Sequence, residues 1–151
     1  VIRSTIPGRL LVIGFALWAG VLLAIALLAL PSAFAVLERH QAGMLANRLF
    51  FVEAHASLMA VAASLLGLVA LDRFQAVPND RPRFGFSLSA VALGLGVIAV
   101  CTVLGYFVIS PLMAQARAGE GSFSFGALHA FSSAMFAIKT LTLLGLVWYV
   151  S

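Results

Sequence analysis

A chain of 151 residues that is 63% hydrophobic and 9% charged, with a mean hydropathy of +1.12, has more apolar surface than one small water-soluble core can bury, so the bilayer is its solvent. The formal charge of +4 comes from nine Lys and Arg against five Asp and Glu. No basic patch interleaves with aromatics, which excludes nucleic-acid binding, and basic residues in a membrane protein hold topology.

Four apolar stretches, at about 10–30, 44–71, 86–109 and 123–150, match the roughly 20 residues that a spanning helix needs. The expected fold is therefore an all-α membrane domain of four transmembrane helices over residues 1–151, arranged as two hairpins. The single cysteine, Cys101, falls within the third stretch and forms no intramolecular disulfide.

The first stretch follows Arg3 and Arg9 and carries no charge from Leu10 to Leu30. With Ala33-Phe34-Ala35 behind it, it also has the outline of a secretory signal, but it exceeds the 7 to 15 residues of a signal's apolar region, so a retained span is expected. Pro31 is expected to bend or end this helix, because it removes an amide donor and crowds the preceding turn. Glu38-Arg39-His40-Gln41 forms the first polar turn.

The second span ends at Asp72-Arg73, and the prolines and mixed charges of Pro78-Asn79-Asp80-Arg81-Pro82-Arg83 make a surface loop. Pro111 closes the third span, residues 115–121 form a second turn, and Trp148-Tyr149 ends the fourth at an interface. Arg3, Arg9, Arg73, Arg81 and Arg83 on one side outnumber Arg39, Arg48 and Arg117 on the other, which places both termini in the cytoplasm.

The halves resemble each other. Pro31, Phe51, His55-Ala56 and Leu65-Leu66-Gly67-Leu68 are echoed by Pro111, Phe125, His129-Ala130 and Leu143-Leu144-Gly145-Leu146, the last pair one helical turn out of step. Each half begins on the same side, so the symmetry is that of a parallel repeat about the membrane normal.

Ionisable groups inside a span are costly and mark the places to look for function: here Glu53, His55, His129 and Lys139. The repeat puts His55 and His129 at one depth in two helices that run the same way. Two readings stay open. Each imidazole hydrogen-bonds a neighbouring helix and does no more, or the two together ligate a b-type haem or a metal ion, with Arg48 and Lys139 neutralising charge nearby.

Arg48, Val52, His55 and Met59 share a helix face, and Glu53 points away from it. With the histidines level, Lys139 lies about 12 residues, or ~18 Å, deeper than Glu53, which excludes an ion pair between them. Glu53 then reads as an interface carboxylate and Lys139 as a cation that snorkels or neutralises an anionic ligand. Gly14, Ala16, Ala19, Gly20, Gly94 and Gly96 are expected to let helices approach, and Trp18 needs a partner for its indole N–H.

The series Pro31, Ala42-Gly43, Leu49-Phe50 and His55, with Pro111, Phe125, His129 and Ser132 in the second half, resembles an uncharacterised bacterial family of small four-helix membrane proteins, domain of unknown function 4149, related to transmembrane protein 205. The resemblance implies a bacterial inner-membrane location. It is similar at greater distance to copper-resistance D-like proteins, which implies haem or metal handling, although the first span here has no histidine and no methionine cluster.

The functional expectation is a small integral membrane protein with an intramembrane site at His55 and His129. The alternatives are a non-catalytic accessory subunit packed against a larger membrane complex and, less favoured, a transporter that encloses its path by homo-oligomerising. Hydrolytic chemistry is disfavoured, because three histidines and no aspartate within a span assemble no nucleophile, base and acid.

Overall fold

The computed structural model describes residues 6–75 and 86–151, with side chains at 8–70 and 89–151. Without water, every backbone N–H and C=O within a bilayer must find its partner inside the chain, and charge-free apolar stretches meet that demand as helices. The elements are α1 (Ile6–Ala24), a π-helical segment (Ile25–Ala29), α2 (Leu30–Val36), α3 (Arg39–Gln75), α4 (Phe86–Thr102), a second π-helical segment (Val103–Val108), α5 (Ile109–Arg117) and α6 (Phe125–Val150). They form four spans long and apolar enough to cross a membrane: Gly8–Val36, Arg39–Ala70, Ser89–Arg117 and Phe125–Val150.

Pro111 does not close the third span, contrary to the sequence expectation, and Pro31, expected to bend or end its helix, does not end it. A proline ring crowds the carbonyl four residues earlier, here that of Leu27 or Phe107, and both carbonyls lie in the π-helical segments. The wider turn makes room for the ring, so the rod continues to Val36 in one case and Arg117 in the other. The first and third spans share this device, so the Pro31–Pro111 part of the internal likeness carries into the structure.

Packing closes a ring of four helices. α1 lies against α6, α6 against α4 and α4 against α3, while α1 and α3 touch more lightly, so spans two and four face each other across the diagonal. Phe15, Leu22, Leu95, Ile98 and Leu143 are fully buried where the spans meet. Gly94 permits the close approach of α4 and α6 there: a Cβ on it would come within 2.8 Å of Leu146 Cδ2, which would have to shift. The other glycines expected to bring helices together, Gly14, Gly20 and Gly96, have open space where a Cβ would go, so they do not serve packing within this chain.

Short turns join the helices of each hairpin. Leu37 takes an extended conformation between α2 and α3, and the turn after α5 uses the left-handed backbone of Gly119 (φ 78°) and Gly121 (φ 98°). Ser124 caps α6 by accepting a hydrogen bond from Ala127 N at 3.2 Å. Arg3 and the loop expected at 78–83, and with them three of the eight arginines used for orientation, lie outside the described residues.

Candidate functional site

The interior of the bundle holds one charged group from each diagonal span. Lys139 Nζ stands 2.8 Å from both Oε1 and Oε2 of Glu53, and the two residues are 3% and 7% exposed. Ser57, one turn along α3, donates to Glu53 Oε1 at 2.5 Å, and Trp18 Nε1 on α1 donates to Ser57 Oγ at 3.2 Å. The ammonium also lies 5.1 Å from the centre of the Phe136 ring.

Three of the four spans thus meet in one hydrogen-bonded chain, and Trp18 has the indole partner its position demands. Among the described residues no buried side-chain polar atom lacks a hydrogen bond. The arrangement pairs one cation with one anion and fastens the diagonal helices to each other.

This pair overturns the expectation that Glu53 and Lys139 lie too far apart. Glu53 is 14 residues beyond Arg39 and Lys139 is 14 residues beyond Phe125, so the two spans are in step from their first residues, not from their histidines. In that register His55 and His129 differ by 12 residues, or ~18 Å along the bundle. The ion pair and the level histidines exclude one another, and the structure has the ion pair. The physical reason is cost: a buried charge stripped of its counter-ion is destabilising by about 3–5 kcal/mol, so the register that pairs Glu53 with Lys139 prevails.

The rings point outward accordingly. His55 is exposed on α3, and its ring lies 4.3 Å from Phe51, 5.3 Å from Phe107 and 6.5 Å from Tyr106, centroid to centroid. His129 is exposed near the start of α6, stacked on Phe125 at 5.8 Å. One chain therefore does not bring the two imidazoles to a common ligand. Arg48 lies over Phe51 at 5.2 Å on its own helix and Arg117, from the end of α5, lies over Phe125 at 4.7 Å, so each half has an Arg–Phe–His stack, built from different elements and at different depths.

The stack on α3 has the more defined chemistry. His55 Nδ1 is 2.7 Å from the carbonyl oxygen of Phe51, which can only accept, so Nδ1 carries the proton and the lone pair of the neutral ring is on Nε2. Tyr106 and Phe107 come from the second π-helical segment, whose Gly105 carbonyl accepts from Ser132 Oγ at 3.0 Å. Arg48, Val52, His55 and Met59 form one exposed stripe, as their spacing predicts. Of the four residues expected at the site, Arg48 and His55 stay together, Lys139 belongs to the interior pair, and His129 stands apart.

A third feature lies further along α3. Between α1 and α3, where the helices touch lightly, an apolar groove of about 580 Å³ runs past Gly14, Phe15, Trp18, Ala63 and Gly67.

Four apolar helices in two hairpins, with a charged pair held in their midst, define an integral membrane protein of the four-span helical class. Within that class the chain belongs to the family described as Domain of unknown function (DUF4149), whose sequence model matches residues 13–122. The match takes in Trp18, Arg48, Glu53, His55 and Ser57 and stops short of His129 and Lys139. No curated protein and no solved structure matches the chain.

Proposed function

We propose that this is a ligand-carrying membrane protein whose working surface is the outer face of spans two and three, where Arg48 and His55 receive an apolar molecule that bears an anionic group. The observation that carries the reading is the pairing of two unsatisfied polar groups on one stripe of α3. Among the described residues Arg48 makes no ion pair and His55 Nε2 no hydrogen bond, although Arg48 is nine residues and His55 sixteen residues into their span. Polar groups at such depth normally turn to the bundle interior, and these two lie on its outside. A partner that enters from the lipid with its own negative charge would satisfy both.

The interior Glu53–Lys139 pair serves this reading as the fastener that keeps α3 in register, so that the stripe is presented from a rigid helix. The test is native mass spectrometry of protein extracted in mild detergent. A bound anionic amphiphile is expected on the wild-type chain and is lost from the double variant Arg48→Gln, His55→Phe. Retention of the same adduct by that variant would defeat the reading. A co-purifying polypeptide in place of an amphiphile would favour an accessory subunit, and solute flux in proteoliposomes would favour a transporter.

A further inference from the structure

We infer that the ligand of the Arg48–His55 face is an iron porphyrin of the haem b type, with His55 Nε2 as an axial ligand and Arg48 paired with the propionates. The inference rests on the reading that this face carries an amphiphilic anion, and names its chemistry.

Three observations converge on a porphyrin. The first is the tautomer. Histidines that bind metals characteristically donate their other ring N–H to a carbonyl or carboxylate, which fixes the ring and aims the lone pair. The 2.7 Å contact from Nδ1 to Phe51 O does this for His55, and the exposed side of the ring is left for a metal.

The second is the surroundings. A bare metal ion needs three or four protein ligands, and among the described residues no group of three or more His, Cys, Asp or Glu comes together. A porphyrin brings four nitrogens of its own and asks the protein for one or two axial donors and apolar walls. Phe51 on the same helix and Tyr106 and Phe107 on the neighbouring span supply aromatic walls around His55. Tyr106 and Phe107 are delivered by a π-helical turn, a distortion that recurs at functional sites, and Ser132 fastens that turn through the Gly105 carbonyl.

The third is charge. Arg48 is seven residues from His55 on the same stripe, about 10 Å along the helix and toward the membrane surface. Arg48 would be the cation within the same stripe available to the carboxylates of a haem that His55 held. Arginine is the side chain best suited to hold carboxylates in a poorly hydrated place.

Purified protein in detergent is titrated with hemin and, separately, with metal-free protoporphyrin IX, and followed by absorbance. Hemin is expected to give a shifted, saturable Soret band that His55→Ala abolishes and His129→Ala leaves unchanged. Arg48→Gln is expected to weaken binding by about tenfold, as the loss of a charge-assisted hydrogen bond does. In a His55→Gly chain, added imidazole is expected to restore the band, which a merely structural role for the ring would not allow.

A band that persists in His55→Ala overturns the inference. Equal binding of hemin and protoporphyrin, sensitive to Arg48→Gln and indifferent to His55→Ala, would also overturn the haem assignment and leave the amphiphilic-anion reading standing. Indifference to both substitutions would remove both.

Discussion

Glu53 and Lys139 are 86 positions apart in the chain, yet each stands 14 residues into its span and they meet across the diagonal of the bundle at 2.8 Å. Their helices are not the closest neighbours in the ring, so this contact joins elements that backbone packing leaves apart. Its energetics are those of a fastener. Little net stability comes from making it, and much is lost when half of it is removed.

Lys139→Met and Glu53→Leu, taken singly, should therefore each lower unfolding stability by about 3–5 kcal/mol, because each leaves a buried charge without its counter-ion. The double variant should recover most of that loss. Denaturation in mixed micelles, followed by circular dichroism, gives the four values of the cycle. Simple additivity of the two single losses would show that the residues do not interact.

Much of this architecture is readable from residue order. The four spans and the two hairpins follow from composition and from where charges interrupt apolar stretches. The register of spans two and four does not follow, because the Phe-x-x-x-His likeness aligns Phe51 with Phe125, whereas the helices start at Arg39 and Phe125. Span two carries 12 more residues ahead of its histidine than span four, and a short motif cannot count them. Counting from the polar turns instead, at Arg39 and Phe125, brings Glu53 and Lys139 level. Ser57 was hidden for a different reason: small hydroxyl residues are common in spans, and only the indole of Trp18 on one side and a carboxylate on the other give this one a role.

Ser57→Ala removes a donor to Glu53 and the acceptor of Trp18 in one step. A loss of about 1–3 kcal/mol is expected, smaller than for either ionic residue because the ion pair itself remains. The chain has two tryptophans, so the substitution is best read in a Trp148→Phe background, where emission reports Trp18 alone. A change in Trp18 emission on Ser57→Ala is the expected sign that the indole has lost its partner; an unchanged spectrum would mean that the hydrogen bond does not exist in the micelle.

Glycines in this chain divide by what faces them, and that division is testable. Gly94→Ala drives a methyl into Leu146, which is buried, and should cost about 1–3 kcal/mol as an overpacked site. Gly14→Ala and Gly96→Ala meet nothing within 4 Å and should be near neutral, or slightly stabilising through helix propensity. Pairing Gly94→Ala with Leu146→Ala should restore part of the loss, since the second change clears the space the first requires. Equal effects at Gly94 and Gly96 would contradict the packing of α4 on α6.

Proline 111 ties the fold to the outer face of spans two and three. Its ring crowds the Phe107 carbonyl, and the widened turn at Val103–Val108 that relieves the crowding also carries Tyr106 and Phe107 to His55. Pro111→Ala restores an amide donor and removes the clash, so the segment is free to wind as a regular α-helix. Stability should rise or stay level, because a backbone hydrogen bond is gained. The aromatic walls around His55 should be displaced, because regular winding changes the direction of every residue that precedes the turn relative to those that follow. Hemin binding is then expected to weaken while the thermal transition does not fall, a combination that a simple loss of fold cannot produce. Ser132→Ala offers the complementary case: it withdraws the hydroxyl that Gly105 O accepts from, and should loosen the same turn with Pro111 in place. If neither substitution alters the His55 environment, as read by the imidazole proton shifts, the π-helical segment has no part in shaping that face.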